Sequence, residues 1–294
     1  MEKSPSKYIV LAGTFFTSLS SIIIKFSEAP ALVISAYRML FTSLMLLIPV
    51  MMSSRHEFKN ISKKDYALCI LSGVFLAFHF ASWITSIKLT TIANSTILVS
   101  CSPVFVAFGN YFITKEKLSP KMIIGILVSL VGTTIIALDS KGGTTSNMFL
   151  GNALAFLGAI FVAFYLVIGG IARKNLNAGI YVFIVYSVST ITLFVMCFAS
   201  KTTVYPYSLK EFMLFIALAF FCSILGHTVY NYMVKYVSST LISVSTLSEP
   251  IFASIMAMII FKEFPSLYTL LGGFIIIIGI FYYLMTQNYK ITSK

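Results

Sequence analysis

The chain has 294 residues, of which 58% are hydrophobic and only 10% charged, with a mean hydropathy of +0.94 and a formal net charge of +12. Soluble domains carry charge on about a quarter of their residues, so this composition excludes a soluble globular protein and predicts one embedded in a lipid bilayer. The positive balance would suggest nucleic acid in a soluble chain, but here it falls in short connections, where the positive-inside rule accounts for it and no nucleic-acid partner is expected.

In chain order, apolar runs long enough to cross a hydrocarbon core of about 30 Å at about 1.5 Å per residue recur throughout. They predict an all-α membrane protein with about ten spans: Tyr8 to Ile24, Leu32 to Met52, Tyr66 to Ile87, Thr91 to Ile113, Met122 to Leu138, Leu150 to Ile171, Ala178 to Ala199, Phe212 to Val234, Thr240 to Phe261 and Leu267 to Thr286. The first lacks the small-residue cleavage site of a signal peptide and reads as a retained helix. With a cytoplasmic N-terminus, that side collects fourteen Lys and Arg residues, among them Arg55, Lys63, Lys64, Arg173, Lys174 and Lys290, against six on the other, Lys25, Lys88, Lys141, Lys201, Lys210 and Lys262. The bias puts both termini in the cytoplasm and the chain, multi-pass, in the cytoplasmic membrane. Cys69, Cys101, Cys197 and Cys222 are scattered within spans and read as small core residues, neither a disulfide framework nor metal ligands.

The chain also repeats itself at an offset of 147 residues: Lys88 matches Lys235, Pro103 matches Pro250, Phe105 matches Phe252, Lys115-Glu116 matches Lys262-Glu263, Gly125 matches Gly272 and Gly132 matches Gly279. Two modules follow, residues 1–140 and 141–294, each with five spans. An odd number of spans makes the second cross the membrane in the opposite sense, so the halves are inverted repeats, the plan of many secondary transporters.

The matched residues are mainly structural. Pro103 and Pro250 interrupt the fourth span of each half, either as hinges that expose backbone to a cavity or as packing kinks. The glycine pairs lie on one face of the fifth spans and suit close helix packing or a homodimer contact. Lys115-Glu116 and Lys262-Glu263 read as helix-end anchors or as a gating ion pair, and Lys88 and Lys235 invite the same two readings.

Charged side chains within spans are costly, about 2.5 to 3.5 kcal/mol at the centre on insertion scales. Arg38 and Glu249 therefore stand out. Glu249 precedes Pro250, with Ser245 and Thr246 one turn back; it suits binding of a cationic group or proton exchange, or else a structural pairing with Arg38 or with hydroxyls. Its repeat mate is Ser102, so the charge breaks the internal symmetry. Arg38 offers donors for a carboxylate, of the cargo or of Glu249, and otherwise holds helices or a gate. His79, Ser82 and Trp83 share a face of the third span, and His227, Tyr230 and Asn231 share a face of the eighth. Trp83 and Tyr230 are repeat mates that would make an aromatic box if they faced each other across a cavity, while each histidine reads as a neutral core group or as part of a proton relay. Asn94, Ser95, Ser102 and Tyr165 supply further polar groups for cargo or for interhelical bonding.

These features resemble the drug/metabolite transporter superfamily, and specifically its EamA-type carriers. The resemblance rests on the two five-span repeats, Tyr37-Arg38-Met39-Leu40 in the second span, and Ser102-Pro103-Val104-Phe105 and Glu249-Pro250-Ile251-Phe252 in the fourth spans, each followed by its Lys-Glu pair and glycine pair. It implies a central cavity and alternating access. It implies a small-molecule substrate, with amino acids as the first class and export as the direction. The rival readings are an uptake carrier, a membrane enzyme acting on lipid-linked substrates, and a substrate sensor without flux. No phosphate loop, metal cluster or activated nucleophile is present in the sequence, so no catalytic residue and no cofactor is expected.

Overall fold

The structure, a computed structural model, describes residues 9–115, 119–137, 147–233, 246 and 248–286, and every element among them is helical. In chain order these are α1 (Ile9–Phe26), α2 (Ala31–Ser54), α3 (Lys63–Leu89), α4 (Ile92–Val99), α5 (Ser102–Gly109), α6 (Pro120–Ala137), α7 (Met148–Ala172), α8 (Ala178–Ala199), α9 (Leu209–Ala217), α10 (Val229–Met233), α11 (Glu249–Phe261) and α12 (Leu267–Thr286). A π-helical stretch, Leu218–Thr228, joins α9 to α10 without a break in helical backbone. Among the described residues seven helices are long and apolar enough to cross a membrane: Ile9–Phe26, Ala31–Asn60, Lys63–Leu89, Ile92–Phe112, Met148–Ala172, Ala178–Ala199 and Leu209–Thr228. The apolar helices Pro120–Ile136, Glu249–Phe261 and Leu267–Tyr283 are shorter.

Helix starts are set by short polar side chains that accept from otherwise unpaired backbone N–H groups. Ser62 Oγ accepts from Asp65 N at 3.0 Å to open α3, and Ser208 Oγ accepts from Glu211 N at 3.4 Å to open α9. The two acids then reach outward in the same way. Asp65 Oδ1 accepts from Asn175 Nδ2, in the connection after α7, at 3.2 Å. Glu211 accepts from Glu28 N, in the connection after α1, at 2.8 Å, and from the Ser27 hydroxyl. Asp65 and Glu211 thus clamp corresponding corners at opposite ends of the bundle, and their spacing of 146 is one residue short of the 147 that holds from Lys88 onward.

Packing follows the same exchange of halves. Helix α3 packs on α7 as α9, the π stretch and α10 pack on α1; α4 packs on α7 as α11 packs on α1; α2 faces α8 and α6 faces α12. Ser43 and Thr190, themselves 147 residues apart, meet across the α2–α8 seam with hydroxyls 3.5 Å apart. On the α6–α12 seam Gly125 lies opposite Gly279 and Gly132 opposite Gly272, so these helices cross antiparallel. A β-carbon would fall 2.7 Å from the Gly279 carbonyl oxygen at Gly125, and 2.5 Å from the Gly272 carbonyl oxygen at Gly132. The glycines expected to serve packing or a dimer therefore face one another within the chain, where small residues let backbones approach without solvent to drive them together.

The fourth span departs from expectation. Its break falls at Ser100 and Cys101, between α4 and α5, and Pro103 sits in the first turn of α5. A proline ring clashes with the helical carbonyl four residues earlier, here that of Val99, where α4 ends; in a first turn its missing N–H costs nothing. Cys101 N to Leu98 O at 3.2 Å and Val104 N to Cys101 O at 3.0 Å carry the chain through the corner. Pro250 likewise lies in the first turn of α11. A π-helical stretch, Asn110–Thr114, continues α5 and is capped by Lys115 at φ 59°, and α11 is capped by Lys262 at φ 57°, left-handed caps in corresponding positions.

Candidate functional site

Arg38 is fully buried about two turns into α2. The neighbouring Tyr37 sets its direction: the Tyr37 ring stacks on Phe215 at 5.1 Å and its hydroxyl donates to the Val204 carbonyl at 3.0 Å, which turns the next residue inward. Arg38 Nε donates to Ser223 Oγ at 3.0 Å, and the guanidinium lies 4.5 Å from the centroid of Phe80. The two terminal nitrogens have no hydrogen-bond partner among the described residues. A desolvated cation over an aromatic face recovers up to about 2 kcal/mol of the roughly 2.5 to 3.5 kcal/mol that an arginine costs at the centre of a span, and the donors of the two terminal nitrogens stay open among the described residues.

Glu249 does not fill it. The two residues are within electrostatic reach, but no ion pair joins them. Glu249, partly buried at the N-terminus of α11, accepts from Thr17 Oγ1 at 3.3 Å, and the positive end of the helix favours its carboxylate. Thr17 also lies 3.2 Å from Tyr230 Oη, which donates to Thr14 Oγ1 at 2.8 Å. This approach of α1 to the π stretch needs Gly226, where a β-carbon would fall 2.6 Å from Thr17 Cγ2. The pairing of Glu249 with Arg38 that the sequence allows is therefore replaced by a separated acid and base, each held by hydroxyls.

Among the described residues the Trp83 and Tyr230 rings are not in direct contact; they are the two ends of a ribbon of rings between the halves. Trp83 stacks on His79 at 5.9 Å and 6°, His79 packs on Phe80 at 5.0 Å, Phe80 meets His227 at 6.4 Å, and His227 meets Tyr230 at 6.2 Å. His227 and Tyr230 thus share a face as expected, although the backbone up to Thr228 is π-helical, bonding i to i+5, and such segments recur at functional sites. His79 Nδ1 lies 2.9 Å from the Gly158 carbonyl. Trp83 is 4% exposed, and its Nε1 has no partner among the described residues. Ser82 Oγ is turned back on its own helix, to the carbonyls of Phe78 and His79.

The remaining predicted residues scatter. Ser95 bonds Ser86 between α4 and α3, and Asn94 Oδ1 accepts from Thr269 Oγ1 at 2.6 Å, so both tie helices. Ser102 is partly buried at the start of α5. Tyr165 is 8% exposed in α7, in the packed core beside Trp83 and Tyr181. The side chain of Asn231 lies outside the described residues, as do Ser245, Lys235 and Glu116. Among the described residues no group of three His, Cys, Asp or Glu side chains is placed to hold a metal.

At one end of the bundle Lys25 Nζ pairs with Glu263 Oε1 at 2.8 Å, while Glu263 Oε2 accepts from Ile92 N, the first residue of α4, at 3.1 Å. Lys88 Nζ donates to the Ser27 carbonyl at 2.9 Å beside it. The Lys-Glu motif of the second half thus ties α1, α4 and the end of α11 together. Sequence reasoning missed Thr14, Thr17 and Ser223; the Thr14-x-x-Thr17 spacing on one face of an apolar helix was the available signal.

The model of the EamA-like transporter family matches this chain twice, at residues 6–138 and 149–285. The chain belongs to the EamA-like transporter family. It is similar to an uncharacterized transporter of Archaeoglobus fulgidus, 29% identical over 220 residues and 72% of each chain. It is also similar to one of Clostridium kluyveri, 26% identical over 222 residues, 72% of this chain and 69% of that one. A crystal structure superposes with a TM-score of 0.66 at 14% identity, over 95% of this chain and 96% of that one, which supports the fold. As an EamA-like, multi-pass transporter of the drug/metabolite superfamily, the protein places its buried charges where the halves meet: Arg38 from the first, with Ser223 and Glu249 from the second.

Proposed function

We propose that this transporter is a secondary carrier that moves amino acids or related small metabolites outward across the cytoplasmic membrane by alternating access, with both termini in the cytoplasm and two inverted five-helix repeats. The observation that carries the reading is the antiparallel crossing of the repeat-related glycine helices, Gly125 on Gly279 and Gly132 on Gly272, together with the mutual packing of the two halves. Halves related in this way can exchange conformations, so that one copy's outward shape becomes the other's inward shape. The fourth spans hinge at Pro103 and Pro250, and the acid and base between the halves form the midplane site. Export and the amino-acid class follow from the family resemblance alone.

Accumulation of a labelled amino-acid mixture in proteoliposomes, with and without a proton gradient, tests this reading. Saturable flux is expected for the natural chain and a strong loss for Glu249→Gln with folded protein retained. A gradient-dependent rate that becomes gradient-independent in the variant would assign proton coupling to Glu249. Absence of flux for every amino acid would refute the cargo class.

A further inference from the structure

We propose that Arg38 is a carboxylate subsite and that, with Glu249 across from it, it selects zwitterionic cargo carrying both a carboxylate and an ammonium group. The inference rests on the carrier reading above and names the chemistry of its site. Three features of Arg38 point to an anion supplied from outside the chain. It is fully buried, its Nε is fixed by Ser223 with the Phe80 ring 4.5 Å from the guanidinium, and yet both terminal nitrogens are without a hydrogen-bond partner among the described residues. Those two nitrogens form the planar fork that a carboxylate accepts in bidentate fashion, with the side chain already ordered so that little freedom is lost on binding. An internal partner is available in kind, because Glu249 is the nearby carboxylate, but it is held by Thr17 and makes no ion pair with Arg38. A separated acid and base on opposite halves present the inverse of a zwitterion. Cargo that bridges them would also join the halves, coupling occupancy to closure.

A matched set of probes separates the two charges: labelled leucine, the amine that lacks its carboxylate (isoamylamine) and the acid that lacks its amino group (4-methylpentanoate). Leucine counterflow into proteoliposomes is competed by each compound. Unlabelled leucine is expected to compete at least about tenfold better than either half-molecule, and Arg38→Gln to raise the KM for leucine by about thirtyfold, with Arg38→Lys recovering part of the loss. Equal competition by isoamylamine in the natural protein, a readout that needs no variant to fold, would overturn the carboxylate subsite. Arg38→Gln with an unchanged KM would do the same while leaving the carrier reading in place. Absence of leucine flux in the natural protein, with flux for another amino acid in the mixture, moves the same three-compound comparison to that amino acid; absence for all of them overturns both the cargo class and the subsite.

Discussion

Gly132→Ala should destabilise the protein through one contact whose geometry is explicit. The new β-carbon would lie 2.5 Å from the Gly272 carbonyl oxygen, 2.8 Å from Ile276 Cγ1 and 2.9 Å from Ile276 N. The first distance is about 0.9 Å inside the 3.4 Å at which ordinary contact begins, and two of the three atoms are backbone, so α6 and α12 must part. Overpacking of this kind costs about 1–3 kcal/mol. Gly170→Ala is the internal control, because a β-carbon there meets nothing within 4 Å. Alanine's intrinsic helix advantage over glycine, at most about 1 kcal/mol, acts at both sites and cancels in the comparison. All four cysteines are buried and free, so a thiol-reactive fluorophore reports unfolding directly. At roughly 2 °C per kcal/mol the Gly132 variant should melt about 2–6 °C below the Gly170 variant. Gly272→Ala faces the Gly132 carbonyl at 2.7 Å, and once the helices have parted for one substitution the second meets less resistance. The double variant should therefore fall short of the summed losses by more than about 0.5 kcal/mol. Equal melting temperatures for Gly132→Ala and Gly170→Ala would refute the antiparallel crossing, and strict additivity would refute the mutual contact.

A reporter fused after Lys294 should read as cytoplasmic, and an external signal would overturn the topology drawn from the charge bias. Lys25→Glu and Glu263→Lys should each slow transport, and the exchanged pair should recover part of the rate, the remainder being the lost cap on Ile92 N. Both partners are about a quarter exposed, which limits the pair's contribution to stability to about 1 kcal/mol or less. A fall in melting temperature equal to that of Gly132→Ala would therefore contradict a gating role. Trp83→Phe keeps an aromatic ring against His79 and removes an N–H that has no partner among the described residues, so yield and melting should change little. A several-fold rise in KM with unchanged yield is expected if Trp83 contacts cargo, and a lower yield with unchanged KM would mark it as packing.

The sequence was most legible where a residue broke the local solvent rule. Arg38 and Glu249 are conspicuous because an apolar span has no other reason to carry them, and the glycine spacing on the fifth spans reads as a packing face for the same kind of reason. What each of them meets is not local information. The partner of Gly132 is Gly272, and the hydroxyls that hold Arg38 and Glu249 come from helices about 185 and 232 residues away in sequence. Thr14, Thr17 and Ser223 stand out only weakly as site residues, because a hydroxyl in a membrane helix ordinarily bonds its own preceding turn, as Thr14 does to Val10 at 3.1 Å. The two halves also differ in local backbone, which sequence register does not show: Trp83 and Tyr230 are equivalent by register, but one sits on a regular helix and the other just past a stretch whose bonds run i to i+5. Asymmetry of this sort, with Glu249 opposite Ser102, is what a symmetric scaffold needs if it is to hold an asymmetric cargo.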